Sequence, residues 1–244
     1  MKSISPNLNI MIQACEKASK ALIRDFGEVE NLQVSKKGPK DFVTNADKKV
    51  EQILINELAK KKYSVISEEA GVIINENNNS FWIIDPIDGT TNFLHGIPHF
   101  CISLALISNN EIISGVIFDP IKNELFFGEK NSGAFCNKQR IRVSKKNDFE
   151  ECLFGSNSKG IKDVELNTRV SGSAALDLAY VASGRLDGFF QKNLNIWDIA
   201  AGILIINEAG GKISPVDIKT TKNHTVIASS EIIYSELNNL LINF

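Results

Sequence analysis

The stretch FWIIDPIDGTTNF, residues 81–93, places two carboxylates directly after a run of apolar side chains. The apolar run predicts a buried strand. Pro86 restricts the backbone of the turn between the two acids, Asp85 and Asp88. Carboxylates that lie close together repel each other and resist burial. The sequence therefore predicts a positive charge between these two side chains.

This turn has the chemistry of a magnesium site. Mg²⁺ prefers carboxylate, carbonyl and water oxygens, so Asp85, Asp88 and the carbonyl of Ile87 are candidate ligands. The Gly-Thr-Thr of residues 89–91 predicts a helix N-terminus, where free backbone N–H groups favour an anion such as phosphate. A plain surface turn is the alternative, because Asp, Pro and Gly are common turn residues. The buried strand before the turn favours a functional site for phosphoryl transfer to water.

The bulk composition is that of a globular protein. The chain has 244 residues, of which 43% are hydrophobic and 23% charged, enough for a sizeable core. The formal net charge of −2 offers no basic field for nucleic acid, and no apolar run approaches the roughly 20 residues of a membrane-spanning helix. The cysteines lack metal-binding spacing and are predicted to be reduced thiols, which favours a cytoplasmic protein. They are Cys15, Cys101, Cys136 and Cys152.

Residues 1–140 are predicted to form an N-terminal sub-region of helices and an antiparallel meander. The predicted helices cover residues 7–26, with Gly27 ending the first, and residues 46–60. The predicted loops cover residues 36–40 and 75–80. The predicted strands cover residues 63–67, 81–85, 101–107, 111–119 and 124–130.

Residues 141–244 alternate between helix and strand, which predicts an α/β sub-region packed beside the meander in one integrated body. The predicted helices cover residues 171–184, 196–211 and 235–244. The predicted strands cover residues 185–191, 211–216 and 224–230.

Four ordered segments resemble the inositol monophosphatase family, of the bacterial inositol-1-monophosphatase and extragenic suppressor type. WIIDPIDGTTNF (82–93) is similar to the first signature of that family, and IWDIAAGILIINEAGG (196–211) to the second. DFVTNADKKVEQ (41–52) and ISEEAG (66–71) resemble its aspartate and glutamate segments. The resemblance implies an α/β (α+β) fold, a layered αβαβα sandwich of the sugar-phosphatase type.

The resemblance also implies a set of metal ligands for two or three Mg²⁺ ions. Glu68, Asp85 and the Ile87 carbonyl would hold the first ion. Asp85, Asp88 and Asp198 would hold the second, and Glu68 would help to hold a third through water. Without the resemblance, Asp198 could be only the N-cap of a helix, and Glu68 a solvated charge at a strand end.

Catalytic and substrate roles follow from the same resemblance. Asp47 and Thr90 would hydrogen-bond to each other and, with Glu68, orient and deprotonate the attacking water on the first metal. Without the resemblance, Asp47 could only complement the dipole at a helix start. The implied phosphate- and substrate-binding residues are Asp88, Gly89, Thr90, Ser173, Ala174, Gln191 and Asp198.

Two departures from the family pattern leave the substrate open. Gln191 stands where inositol-specific members usually have a glutamate, and the region 152–171 is shorter than usual by about a helix. We predict a Mg²⁺-dependent, lithium-sensitive phosphatase, a homodimer, that hydrolyses myo-inositol 1-phosphate or a related small polyol or sugar phosphate. The alternatives are fructose 1,6-bisphosphate, a 3′-phosphoadenosine nucleotide, histidinol phosphate, or a regulatory or binding protein that retains the fold.

Overall fold

The computed structural model describes residues 4–32, 39–75, 77–157 and 166–241. These residues form two β-sheets and the helices that cover them. The order of the layers is helices, an eight-stranded sheet, helices, a five-stranded sheet and a final helix. The predicted αβαβα sandwich is confirmed.

The first layer contains α1 (Pro6–Leu32) and α2 (Pro39–Leu58), which is followed by a 3-10 turn, Ala59–Lys61. The prediction that Gly27 ends α1 is wrong, because Val29 is buried on the same stripe as Leu22 and its packing extends the helix. The prediction that α2 starts at residue 46 is also wrong. Of the predicted loop 36–40, residues 36–38 lie outside the described residues, and residues 39–40 belong to α2, so the prediction is wrong there.

The eight-stranded sheet carries the carboxylates of the opening stretch. Its order is β2-β1-β3-β4-β5-β6-β7-β8, and β1 and β3 run parallel. The helix α3 (Thr90–Leu94) follows β3. The strands are β1 (Tyr63–Ser67), β2 (Gly71–Ile73), β3 (Asn77–Asp88), β4 (Cys101–Ser108), β5 (Glu111–Asp119), β6 (Glu124–Glu129), β7 (Gly133–Cys136) and β8 (Gln139–Arg140).

The strand β3 begins earlier than the sequence predicted. Residues 77–80 were predicted to belong to a polar surface loop, but they belong to β3. Ser80 lies opposite Ser108 of β4, and their hydroxyl oxygens are 2.9 Å apart. Pairing with a neighbouring strand therefore extends β3 into residues that lack the hydrophobic pattern of a strand.

The two faces of the eight-stranded sheet bury alternate residues of each strand, as a period of two requires. Trp82 and Ile84 of β3 pack with the core formed by α1 and α2. Ile83 packs on the opposite side with the core that includes α4 (Ala174–Ala182) and α5 (Ile196–Glu208). The strand that leads to the two acids is therefore buried on both faces.

The five-stranded sheet lies beyond α4 and α5, and its order is β10-β9-β11-β13-β12. Its outer face packs on α6 (Glu231–Leu240). Residues 158–165, in the region predicted to be short, lie outside the described residues. The strands are β9 (Leu153–Gly155), β10 (Asn167–Arg169), β11 (Gly188–Leu194), β12 (Gly211–Ile213) and β13 (His224–Ser230).

None of the helices in the described part of the chain has the length and apolarity that crossing a membrane requires. All four cysteines are free thiols, as predicted.

Candidate active site

Three elements that are distant in sequence bring the predicted acids together. The parallel pairing of β1 with β3 sets Ser67 opposite Ile84, so Glu68 and Asp85 follow at neighbouring strand ends. The pairing of β3 with β4 is irregular between Asp85 and Asp88, which permits both side chains to reach one cavity. Asp198 enters from the first turn of α5.

These acids line a cavity of about 190 Å³. All five predicted metal ligands, including Ile87, belong to its wall, as do the predicted phosphate-binding residues Gly89 and Thr90. The lining residues are Glu68, Asp85, Ile87, Asp88, Gly89, Thr90, Asn157, Gly172, Ala174, Gln191, Leu194, Asn195 and Asp198.

In three of the carboxylates, one oxygen accepts a hydrogen bond from a backbone N–H group. Asp85 Oδ1 accepts the Ile87 N–H at 3.0 Å. Asp88 Oδ2 accepts the Ala175 N–H at 2.8 Å and also the Ser173 hydroxyl. Asp198 Oδ2 accepts the N–H of the helix N-cap, Asn195, at 2.8 Å. The orientation of each carboxylate is thus set by one oxygen, which leaves the other oxygen available for a ligand.

The cavity concentrates negative charge. Burial raises the pKa of Asp85 well above its ordinary value, and the charges of Asp88, Glu68 and Asp198 raise it further. Burial, and then the charge of Asp88, raises the pKa of Asp198 to about 7. Burial followed by the Glu69 charge raises the pKa of Glu68, although a hydrogen bond with Asp85 opposes this rise.

The donor set fits a hard divalent cation. The cavity wall offers four carboxylates and the Ile87 carbonyl, which are hard oxygen donors of the kind that Mg²⁺ binds. Oxygen is the only donor atom of these acids, as Mg²⁺ prefers. In the described part of the chain, no group of three or more His, Cys, Asp or Glu side chains has the spacing of a preformed metal centre.

The predicted hydrogen bond between Asp47 and Thr90 is absent. The Thr90 hydroxyl donates instead to the Ile87 carbonyl at 2.9 Å, because that carbonyl lies one helical turn earlier in the chain. Asp47 is 5% exposed, and its Oδ1 is buried without a hydrogen-bond partner. Burial, followed by the charges of Glu68, Glu69 and Glu51, raises the pKa of Asp47 to about 8.

The start of α3 confirms the predicted helix N-terminus at Gly89. This residue has a φ of 98°, which strongly favours glycine, and a Cβ there would lie 3.0 Å from the His99 carbonyl oxygen. Its carbonyl accepts the Phe93 N–H at 3.0 Å, which closes the first turn. The backbone at residues 89 and 90 therefore lies at the cavity with no side chain at the first position.

The predicted substrate-binding residues divide into two groups. Ala174 and Gln191 line the cavity, and Gln191 Oε1 is buried without a hydrogen-bond partner. Ser173 is 1% exposed, and its hydroxyl both holds Asp88 and caps α4 through the Leu176 N–H. Ser173 therefore supports a metal-ligand candidate and does not line the cavity.

Four further lining residues escaped the sequence analysis: Asn157, Gly172, Leu194 and Asn195. Gly172 lies inside the predicted helix 171–184, Asn195 stands one residue before the predicted helix 196–211, and Leu194 and Asn157 belong to no motif. Sequence position next to a motif could have indicated Asn195, since it caps the helix that carries Asp198. No sequence signal indicated Asn157.

Comparisons with known proteins agree with this geometry. The family described as the inositol monophosphatase family matches residues 4–243. The chain is similar to an inositol-1-monophosphatase of Mesorhizobium japonicum, with 45% identity over 94% of each chain. It is 38% identical to a Nus factor SuhB of Xylella fastidiosa over 85% of this chain and 81% of that protein. A crystal structure of the extragenic suppressor protein suhB from Bartonella henselae superposes with a TM-score of 0.87 and 42% identity, covering 98% of this chain and 100% of that one. The chain belongs to the inositol monophosphatase family.

Proposed function

We propose that this protein is a Mg²⁺-dependent phosphomonoesterase that hydrolyses myo-inositol 1-phosphate or a related small polyol or sugar phosphate. One observation carries the proposal: Glu68, Asp85, Asp88 and Asp198 come from distant parts of the chain and line one cavity. The charges that raise the pKa of Asp85 are those of other carboxylates: Asp88, Glu68, Asp198 and Asp47. Such a cavity favours a cation and, through it, a phosphate.

The proposed ligands are the five predicted ones: Glu68, Asp85, the Ile87 carbonyl, Asp88 and Asp198. When bound, Mg²⁺ lowers the pKa of water and neutralises charge on the phosphate and on the leaving oxygen. We assign two ions to the site, with a third held more weakly through Glu68. Lithium inhibition is part of the proposal.

The chain itself would bind the phosphate and accept the proton. The backbone N–H groups of Gly89 and Thr90 would donate to phosphate oxygens at the start of α3. The Thr90 hydroxyl donates to Ile87, so its oxygen lone pairs remain free to accept from the attacking water. Asp47 Oδ1, which is buried and unpartnered, would receive the proton of that water together with Glu68.

The substrate alcohol would lie between Ala174 and Gln191. The amide of Gln191 can donate to or accept from a hydroxyl but carries no charge. We therefore propose a polyol or sugar phosphate with broader selectivity than an inositol-specific enzyme. Fructose 1,6-bisphosphate, a 3′-phosphoadenosine nucleotide and histidinol phosphate are the competing substrates, and a panel assayed at matched concentration discriminates among them.

The release of inorganic phosphate from myo-inositol 1-phosphate tests the proposed reaction. Wild-type protein, Asp88→Asn and Asp148→Asn are assayed with and without Mg²⁺. Asp148 is exposed and remote from the cavity, so the same chemical change there serves as a matched control. We expect Mg²⁺-dependent hydrolysis by the wild type and the control, and its loss in Asp88→Asn. Equal activity in every condition would reject the assignment.

A regulatory or binding function is the second candidate, because one relative is named a Nus factor. It predicts that Asp88→Asn retains a partner captured by the wild-type protein even though hydrolysis is lost. A cytoplasmic location, a homodimer, and the action of residues 1–140 and 141–244 as one catalytic body are further parts of the proposal.

A further inference from the structure

Glu51 makes a buried anchor beneath the segment that carries Glu68. It lies on α2, one helical turn after Asp47, and is 5% exposed. It is absent from the cavity wall, so it is not itself placed to contact substrate. Its role must therefore be read from the groups that it contacts.

One oxygen of Glu51 contacts residues on both sides of Glu68: the Ser67 side chain before it and the backbone of Glu69 and Ala70 after it. Glu51 Oε1 accepts the N–H of Glu69 at 3.2 Å and the N–H of Ala70 at 3.0 Å. It also accepts the Ser67 hydroxyl. On the opposite side, the Glu68 N–H donates to the Ile84 carbonyl at 3.3 Å. The peptide of Glu68 is thus clamped between α2 and β3.

The chain keeps this anchor at an electrostatic cost. The charge of Glu51 adds to the repulsion that Asp47 and Glu68 already experience. All three donors nevertheless meet the same oxygen of Glu51, Oε1, and the amide oxygen of a glutamine could accept from them as well. Its length also matters, because the side chain must reach from the helix to the turn after β1.

We propose that Glu51 is a positioning residue, which holds Glu68 at the cavity by fixing residues 67, 69 and 70 from α2. This inference rests on the proposed Mg²⁺-dependent function. Groups that orient metal ligands without touching the metal typically change metal affinity about 10- to 100-fold when they are mutated. In this role, the side chain of Glu51 must be long enough for its oxygen to accept the hydrogen bonds from residues 67, 69 and 70.

Two substitutions separate the effect of the length of the Glu51 side chain from the effect of its charge. Glu51→Asp keeps the charge but shortens the side chain by one methylene, so its carboxylate no longer reaches the two N–H groups. Glu51→Gln keeps the length and an acceptor oxygen but removes the charge. Glu57→Asp is the matched control, because Glu57 lies on the same helix and pairs with Lys17 and Lys60 away from the cavity.

The principal readout is the Kd for Mg²⁺, measured by isothermal titration calorimetry of the protein without substrate. We expect Glu51→Asp to weaken Mg²⁺ binding by about 10- to 100-fold, while Glu51→Gln and Glu57→Asp stay close to the wild type. The Mg²⁺ concentration for half-maximal phosphate release should shift in parallel. Thermal unfolding without Mg²⁺ identifies any variant that does not fold. If Glu51→Asp does not fold, Glu51→Gln alone tests the proposal, which requires that this variant bind Mg²⁺ with the wild-type affinity.

Three results would overturn the inference. Wild-type Mg²⁺ affinity in Glu51→Asp would show that Glu51 is structural only. A loss confined to Glu51→Gln would show that its charge matters and its reach does not, and equal losses in both variants would contradict a role based on reach. If the wild type itself binds no Mg²⁺, the proposed function fails, an outcome distinct from these three.

Discussion

The two ends of α5 carry acids in opposite surroundings. At the C-terminal end, Glu208 accepts three backbone N–H groups, from Asn131 at 2.6 Å, Ser132 at 3.1 Å and Gly133 at 2.6 Å. At the N-terminal end, Asp198 accepts one such N–H and faces other carboxylates. The helix dipole alone favours an acid at the N-terminus over one at the C-terminus. The pKa of Asp198 is nevertheless raised to about 7, because burial and the Asp88 charge outweigh the hydrogen bond from the Asn195 N–H.

This difference separates a structural acid, Glu208, from a proposed metal ligand, Asp198. Glu208 anchors the turn between β6 and β7, and its charge is compensated by the chain itself. The acids at the other end of the helix are oriented by the chain, but their charge is left for something else to compensate. Three backbone N–H groups therefore assign Glu208 a structural role, whereas a buried group of uncompensated acids indicates a cation site.

The largest expected effect is the loss of hydrolysis in Asp85→Asn. Because Asp85 would bridge two ions, we expect a fall in kcat/KM beyond the roughly 100-fold that is typical of residues outside the coordination sphere. In EDTA the same variant should unfold at a higher temperature than the wild type, because a buried charge has been removed. Phosphate-release assays and thermal unfolding measure the two effects. Retained activity, or lower stability in EDTA, would contradict the interpretation.

At the C-terminal end of α5, a substitution of Glu208 should lower stability and leave activity unchanged. Glu208→Ala leaves three backbone N–H groups without their acceptor, so we expect a loss of about 1–3 kcal/mol in unfolding free energy. Urea denaturation measures this loss, and kcat/KM of the folded protein should not change. Glu208→Gln retains one acceptor oxygen and should lose less. A large fall in kcat/KM with full stability would place Glu208 in the catalytic machinery.

Stability should also depend on pH at the acid cavity. The folded-state pKa of Asp47 is raised from 3.8 to about 8, so the folded state binds more protons than the unfolded state between these values. Without Mg²⁺, the unfolding free energy should therefore fall as pH rises through this window and level off above it. Asp47→Asn should reduce the slope, and saturating Mg²⁺ should suppress it. Denaturation at a series of pH values tests this, and a rise in stability across the window would contradict it.

The smallest expected effect concerns substrate selection. Gln191→Glu places a charged acceptor at the rim, and a hydrogen bond to a charged group is worth about 1 kcal/mol more than one to a neutral group. We expect the ratio of kcat/KM for myo-inositol 1-phosphate to that for fructose 1,6-bisphosphate to rise about fivefold. Measurement of kcat and KM for both substrates tests this prediction. An unchanged ratio would show that Gln191 does not contact the substrate.

Local patterns predicted most of the elements, and the errors fall where tertiary packing overrides them. Gly27 has poor helix propensity, by about 1 kcal/mol relative to alanine, yet burial of Val29 in the core extends α1 past it. Residues 77–80 are polar and lack a strand pattern, yet pairing with β4 makes them part of β3. Propensity is a property of a few neighbouring residues, whereas both corrections depend on distant segments.

The sequence by itself determined the candidates for the chemistry and the order of most helices and strands. The turn with Asp85, Asp88 and Gly89 follows from residue type and spacing, and Glu68 and Asp198 follow from the resemblance to the family. Only the tertiary structure decided which groups meet. It directed the Thr90 hydroxyl to Ile87, turned Ser173 towards Asp88, and set Glu51 beneath the backbone that carries Glu68. The physical reason is that hydrogen bonds between distant segments depend on distances of a few tenths of an ångström, which the packing of whole layers sets and no local pattern encodes.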